Sequence, residues 1–506
     1  MFRRIAESPS KSLLVMTLAF VAGVAVHAFD ERPSVPVAAA ASVGAALLVA
    51  AAFLRHLPAL RLTSIAVALM AFGLARYEAA LPAEGGGVEP PRAVAGYSGT
   101  VAEEPAESLR GTALIMERVS FFDGARMVPL SARMELRYRV PLRAAIGDEI
   151  AWRCRVHPRD ASVREGRSRA VAWSCLPDGA PAVSSVGGAP RNALLWAKRR
   201  IRAAAAAVLP EPYSSLLLGL LIGDTGGIPK DVIAAFRTTG TSHVLAVSGY
   251  NVHLVAEFAF LLLSAFAVRR RPASYAVAAF LAAFTLMTGA EAPVVRAAVM
   301  GGLGLIAGLL GRRGGGATPL AVAAALMLAH DPLIFRHDVG FRLSFAAILG
   351  IGALGPPFSR VLALIPEAGG LRKTAAETLA ATLATMPMAL HDFGMLPLSG
   401  PVANLAVVPL VPFVTATGAA SAAIGFISAP LALPAALPCA VAARAMLGIV
   451  TAIAGAVPAL PIRASAWAEA ALYGWLGLLW FALTRAPERR AEAVAPEGVE
   501  AVTYDL

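Results

Sequence analysis

Apolar segments of about twenty residues recur along this chain between short arginine-bearing loops, and a segment of that length spans a bilayer's ~30 Å hydrocarbon core as one helix. In hydrocarbon every backbone N–H and C=O must be satisfied within the spanning structure, so such a pattern admits helices and little else. The apolar runs lie at 13–29, 37–54 and 62–80, and resume from 213 to 484. With 57% hydrophobic and only 15% charged residues, the composition is too apolar for a soluble enzyme of 506 residues. The expected fold class is mainly α, a polytopic transmembrane helical protein. The first run follows Arg3, Arg4 and Lys11 like a signal peptide. No A-x-A-like cleavage site precedes Asp30, however, and two further runs follow, which predicts retained membrane helices.

The excess of basic residues in cytoplasmic loops orients such a chain. Arg3, Arg4 and Lys11 hold the N-terminus inside, Arg55 and Arg61 mark the next inner loop, and Asp30 and Glu31 fall outside. Later inner loops carry Arg269 to Arg271, Arg312 with Arg313, Arg372 with Lys373, and Arg485, Arg489 and Arg490. About ten spans satisfy all of these. The expected localisation is the cell (inner) membrane, multi-pass, with both termini cytoplasmic.

Three crossings export the polar stretch 81–190, which reads as all-β. "RMELRYRV" at 133–140 alternates polar and apolar residues, and "FFDGAR" at 121–126 carries an Asp-Gly hairpin signal. A small barrel or a sandwich fits. Its charge is split, with seven acids against three arginines over 84–123 and ten arginines against five acids over 133–169. Arg133, Arg137, Arg139, Arg153 and Arg155, with Trp152 and Trp173 nearby, are a candidate surface for single-stranded nucleic acid, or a solvated arginine-rich face. Cys154 and Cys175 stand in a compartment that permits oxidation, and a disulfide between them is expected, whereas Cys439 falls in an apolar span as a packing residue. With three cysteines in all, no cysteine-rich metal cluster can be built, and neither a metal nor a cofactor is expected.

Residues 191–212 hold five basic residues on the outer side. They predict an amphipathic interfacial helix with Leu194, Leu195, Ile201 and Val208 inward, or alternatively a basic collar for a polyanion. The channel-like region 213–485 opens with "LLLGLLIG" at 216–223, too short to cross, so re-entrant or the end of a tilted helix. A short amphipathic helix bounded by Pro229 and Gly240 follows, then a crossing from His243 to Val268. At 100° per residue His243, Tyr250, His253, Glu257 and Ser264 fall within one arc if that helix is continuous. A break at Ser248-Gly249 is the alternative, and freed backbone groups must then line a cavity or be buried in protein. Either way the polar stripe marks a wet route or an interhelical hydrogen-bond network.

These residues carry a resemblance. "LLLGLLIGDTGGIPKDVIAAFRTTGTSHVLAVSGYNVHLVAE" is similar to the signature block of the ComEC competence-protein family. Three further blocks follow in that family's order: "GAEAPVVRAAVM" at 289–300, "HDPLIFRHDVGFRLSFAAILGI" at 330–351 and "LATMPMALHDFGMLPLSGPVANLAVVPL" at 383–410. The resemblance implies an OB-like exported domain and passage of single-stranded DNA through the cytoplasmic membrane during natural transformation. Where many members have Leu-His after the Ser-Gly pair, Tyr250-Asn251 stands here. Fuller members also carry a metallo-β-lactamase-like domain with an H-x-H-x-D-H motif. None is found here, and His391-Asp392 lacks the surrounding ligands. The expectation is therefore a channel rather than an enzyme, working with a separate nuclease and other competence proteins in the lipid bilayer, as a single chain or a homo-oligomer.

The candidate DNA path comprises Asp224, His243, Ser248, Tyr250, Asn251, His253, Glu257, Arg296, Arg342 and Asn404. Arg296 and Arg342 sit just inside apolar runs, either snorkelling to the interface or meeting phosphate. Ala297, Gly301, Gly304, Gly308 and Gly311 recur at helical spacing as a smooth packing face. Pro387, Pro401, Pro409 and Pro412, with Asn404 among them, are expected to interrupt helices. Two other functions compete. One is a membrane-embedded hydrolase with Ser248 as nucleophile and His243 or His253 as base, although "AVSGY" lacks the G-x-S-x-G elbow. The other is a small-solute transporter with broken helices. The expected boundaries are 1–80 N-terminal helices, 81–190 β domain, 191–212 basic helix, 213–485 channel domain and 486–506 a cytoplasmic tail.

Overall fold

The computed structural model describes residues 8–494 apart from 30–35, 55, 82–88, 92, 103–105, 109–110, 124–125, 131–132, 140–141, 143, 145–146, 159–170, 178, 180, 185–188, 246, 248, 291, 311–316 and 368–369. Three apolar helices open it: α1 (Pro9–Phe29), α2 (Val37–Phe53) and α3 (Pro58–Glu78), close to the hydropathy boundaries. Their association does not rest on the hydrophobic effect, since lipid is as apolar as they are; small residues let the backbones approach. A Cβ on Gly23 would run into the Met70 carbonyl of α3, and one on Gly73 would run into the Phe20 carbonyl of α1 and lie 3.0 Å from the Val24 nitrogen. The far ends of the same two helices are joined by a contact between His27 Nε2 and Glu78 Oε2.

Eight strands follow: β1 (Ala95–Val101), β2 (Ala106–Ser108), β3 (Gly111–Asp123), β4 (Arg126–Pro129), β5 (Arg133–Tyr138), β6 (Glu149–Pro158), β7 (Val171–Pro177) and β8 (Ala182–Ser184). Pairing runs β1-β3-β5-β7-β6, and β6 returns to β1, which closes a five-stranded barrel. The β3–β4 hairpin pairs Asp123 with Arg126, where the Asp-Gly signal placed a turn. Alternation sends Ile150, Trp152, Cys154 and Val156 of β6 inward beside Leu114, Met134 and Leu136, and sends Arg153 and Arg155 outward. Tyr97 stacks on Trp152 in this core at 5.9 Å between centroids. Burial pushes the phenols of Tyr97 and Tyr138 above their ordinary range. Cys154 and Cys175 are disulfide-bonded, with Cα atoms 6.1 Å apart.

The remaining helices are α4 (Ala189–Val208), α5 (Tyr213–Ile222), α6 (Lys230–Thr238), α7 (Ser242–Leu245), α8 (Gly249–Ala265), α9 (Arg270–Met287), α10 (Ala292–Leu309), α11 (Ala317–His330), α12 (Ile334–His337), α13 (Val339–Val361), α14 (Leu371–Phe393), α15 (Gly400–Val407), α16 (Leu410–Ile427), α17 (Ala429–Ala456) and α18 (Ala466–Val494). Among the described residues seven helices are long and apolar enough to cross a membrane, against the ten spans expected, and four shorter apolar helices supplement them. Two compact units result. The first holds the chain up to Lys230 with His243–Arg342 and Leu410–Ala445; the second holds Asp231–Ser242, Leu343–Pro409 and the chain from Met446.

In the first unit α11 and α12 pack on α1, α4 packs on α5, α9 and α16, and α8, α9 and α10 share a core of Val252, Val277, Leu281 and Phe284. In the second, α14 packs on α15 and α18 around Leu354, Phe358, Ala376, Ala380 and Leu476. Pro387 does not interrupt its helix: it lies buried inside α14, because in a bundle neighbouring groups re-satisfy the carbonyl that a proline frees. Pro401 opens α15, Pro409 stands between α15 and α16, and Pro412 sits in the first turn of α16, so there the expected break is present.

Candidate functional site

The polar segment of the first unit is built around two helix breaks. All ten residues of α5 except its first are buried, and Gly223 ends the helix in the left-handed conformation at φ +74°. That turn directs the Asp224 N–H back to the Leu218 carbonyl at 3.3 Å, so the Leu220 carbonyl loses the N–H a continuing helix would give it. Asn251 supplies the substitute: its Nδ2 donates to Leu220 O at 2.9 Å, from a side chain only 1% exposed. The apolar segment 216–223 is thus a short buried helix capped by a residue thirty-one positions on.

Asn251 reaches Leu220 because the following helix is also interrupted. The chain stops at α7 (Leu245) and restarts at Gly249, so the continuous arc from His243 does not form, and His243 stands exposed on α7. Close packing holds the junction together. A Cβ on Gly219 would lie 2.9 Å from the Leu245 carbonyl, and one on Gly249 would lie 3.1 Å from Arg296 Nη2 and 3.4 Å from Ala297 Cβ. Arg296 is 6% exposed, and its guanidinium packs on the start of α8. Along the small-residue face of α10 a Cβ on Gly301 would lie 3.4 Å from Leu281 and one on Gly308 3.7 Å from Arg270, whereas nothing lies within 4 Å of one on Gly304; Gly311 is outside the described residues.

Beyond the junction α8 has two faces. Val252, Val255, Ala259 and Leu263 face the core with α9 and α10. The opposite side carries His253 and Glu257, each 67% exposed and paired at 3.0 Å one turn apart, and then exposed Ser264. The part of the expected stripe within α8 therefore survives as an outward polar lane. Ser248 and the side chain of Tyr250 lie outside the described residues, and the hydrolase reading falls with Ser248 among them.

Asp224 accepts from Arg202 Nε of α4 at 2.6 Å, a partner that no spacing in the chain signals. Arg342 stands half-buried in the first turn of α13, whose N-terminus is held by Asp338, a carboxylate accepting the Phe341 N–H at 3.0 Å. Asn404 belongs to the second unit, 7% exposed in α15, and its side-chain oxygen has no hydrogen-bond partner among the described residues. Within the first unit the structure thus brings Asn251 and Arg296 to one junction and pairs His253 with Glu257 on α8.

On the barrel, β7 lies between the two arginine-bearing strands. Arg155 faces Leu176 across β6–β7, and Leu136 faces Cys175 across β5–β7, which one step on puts Arg137, Leu176 and Arg155 in a single outer row. Arg139 and Arg153 extend that face. Arg137 is tied to Glu135 at 2.9 Å and Arg133 to Glu117 at 3.5 Å, whereas Arg139, Arg153 and Arg155 are exposed with no carboxylate partner among the described residues.

The Competence protein family profile matches residues 220–486, which is 267 of the 506 residues and takes in both helix breaks and the polar lane. The chain belongs to the competence-protein family. Among curated proteins, ComE operon protein 3 of Bacillus subtilis (strain 168) is 27% identical over 212 residues, covering 42% of this chain and 26% of that protein. Uncharacterized protein YcaI of Escherichia coli (strain K12) is 26% identical over 250 residues, covering 44% of this chain and 31% of its own. The match therefore spans between a quarter and a third of these relatives' length. No solved structure matches. As a competence-family member with seven candidate spanning helices, the chain is a multi-pass membrane protein.

The Asn251 contact gives a direct expectation. Asn251→Ala and Asn251→Leu both leave the buried Leu220 carbonyl unpaired, at a cost of about 1–3 kcal/mol. Denaturation midpoints of the purified variants in detergent check it, and midpoints equal to the unsubstituted protein's would dismiss the cap.

Proposed function

We propose that the protein conducts single-stranded DNA across the cytoplasmic membrane during natural transformation, with the barrel on the outer side and a separate nuclease and other competence proteins as partners. The observation that carries this reading is the lane of His253, Glu257 and Ser264 on the outward face of α8. Ionisable side chains at membrane depth are costly against lipid, at ~2.5–3.5 kcal/mol each, and are found facing water-filled routes or protein partners. The two helix breaks beside the lane support the same reading, because interrupted helices are the usual way a bundle builds a polar site at its midplane. Membership of the competence-protein family supports DNA as the cargo. Asp224, His243, Ser248, Tyr250, Arg342 and Asn404 remain proposed path residues, and Arg296 and Asn251 act in it by fixing the junction.

The barrel's part is to hold phosphates loosely at several points, since a few tight ion pairs would retain a strand rather than pass it. Deletion of the gene followed by uptake of labelled DNA tests the function: loss of internalised label with surface binding retained is expected, and undiminished internalisation defeats the proposal. For the barrel, Arg153→Glu with Arg155→Glu is expected to weaken binding of a labelled oligo-dT about tenfold or more at low salt. The same pair should flatten the log–log salt dependence by ~1.4, two phosphate contacts at ~0.7 each. Arg137→Gln, already tied to Glu135, should change the slope less.

A further inference from the structure

The basic helix α4 shows a face that neither the barrel nor the channel segment uses. Its inner side is packed: Lys198, Ala205 and Val208 are buried, and the helix lies on α5, α9 and α16. Its outer side carries Trp196, Arg199 and Arg200 in the first half and only Ala203, Ala206 and Ala207 in the second, all exposed. Trp196 is 57% exposed, so its ring is open to whatever surrounds the helix. The Arg200 guanidinium lies over the Trp196 ring at 5.7 Å and over the Phe426 ring at 5.9 Å. Neither Arg199 nor Arg200 has a carboxylate partner among the described residues; the nearby Arg202 is the one taken by Asp224.

Phe426 fixes the level of this patch. It is the penultimate residue of the apolar helix α16, so a cation resting on its ring sits at the end of that helix, where hydrocarbon would give way to headgroups. Two aromatic faces hold that cation by its quadrupole attraction and leave its N–H donors directed outward. Tryptophan is enriched at this same level, and a helix lying there with an apolar-to-alanine surface and basic residues at one end is the pattern of interfacial binding to acidic lipid. An alanine face beside the arginines suits acyl chain.

We infer that Trp196, Arg199 and Arg200 form a binding site for the phosphate headgroup of an anionic phospholipid, which seats α4 on the bilayer surface. Arg200, pre-positioned on its two rings, makes the main phosphate contact, Arg199 adds charge, and Trp196 anchors at the glycerol level. The site is separate from the barrel's arginine face and does not depend on what the channel conducts.

The test uses the full-length protein in detergent, titrated with phosphatidylglycerol or with phosphatidylcholine and read by native mass spectrometry as bound lipids per chain. Arg199→Gln with Arg200→Gln is compared with Arg153→Gln with Arg155→Gln on the barrel. The expected result is a preference for phosphatidylglycerol of about tenfold or more, since each basic residue near an acidic surface contributes ~1 kcal/mol. That preference should vanish in the α4 variant and persist in the barrel variant. Equal melting temperatures of the α4 variant and the unsubstituted protein in phosphatidylcholine micelles establish that the fold is intact; should the double variant be unstable, Arg200→Lys takes its place, keeping the charge while losing the planar stack, with a reduced preference expected. No preference in the unsubstituted protein, or a preference that the α4 variants keep, overturns the inference. So does a fall in oligo-dT binding in the α4 variant with lipid preference unchanged, which would assign the patch to nucleic acid.

Discussion

Gly73→Leu is expected to separate α1 from α3 and to cost about 3 kcal/mol or more, beyond the ~1–3 kcal/mol usual for overpacking. The reason lies in what the new side chain meets. Most overpacked sites relax because a flexible neighbour swings away, but at Gly73 the nearest atoms are the Phe20 carbonyl and the Val24 nitrogen, which are backbone. Moving them means moving the whole of α1, which also carries Gly23 against Met70 and the His27 contact with Glu78. Arg336 of α12 donates to the Ala28 carbonyl at 2.6 Å, and Arg76 of α3 donates to the carbonyls of Ala329 and His330 at 2.9 and 2.6 Å. Displacement of α1 would therefore reach the connector between α11 and α13. A graded series, Gly73→Ala, Val and Leu, should lower the detergent denaturation midpoint step by step, while Gly302→Leu, with nothing within 4 Å of its Cβ position, should leave it unchanged. If the Gly73 and Gly302 variants behave alike, backbone contact is not what joins these helices.

Removal of the Cys154–Cys175 bond is expected to destabilise the barrel by about 3 kcal/mol, the chain-entropy cost of releasing a closed loop of this length. The bridge closes a sequence separation of 21 residues, and the residues between include 159–170. It also sits in the core, with both cysteines buried beside Trp152 and Val156, so Cys154→Ala with Cys175→Ala tests the cross-link with little change in packing. Limited proteolysis of the full-length protein, followed by mass of the released fragments, should find cleavage within 95–184 rising under reducing conditions in the unsubstituted protein and already high in the double variant. Barrel cleavage that ignores both reduction and substitution would show the strands to be self-sufficient.

The long elements were readable because their signals are local. Hydropathy set 13–29, 37–54 and 62–80, and the helices fall at Pro9–Phe29, Val37–Phe53 and Pro58–Glu78, with the starts of the first and third reaching four residues further back. Period-two alternation found β5 and the Asp-Gly signal found the hairpin after Asp123, but closure of the sheet depends on β1 pairing with β6, some fifty residues away, which no local pattern announces. The same limit governs the site. Helical periodicity correctly grouped His253, Glu257 and Ser264, yet it placed Asn251 and Arg296 by chemistry alone, as path residues. Their burial is decided by Leu220 and Gly249, which lie in other segments. Pro387 was misread for a related reason: what a proline does to a helix depends on whether neighbouring groups re-satisfy the carbonyl it frees, and that is a property of the bundle.

Closure of the barrel has one more consequence. A sheet that returns on itself has no long lip along which another sheet could grow, and the open margins left among the described residues are the short strands β2, β4 and β8, of three, four and three residues. Many copies crowded in one membrane patch can therefore stand side by side without their barrels fusing into aggregates, and the arginine face stays available on each.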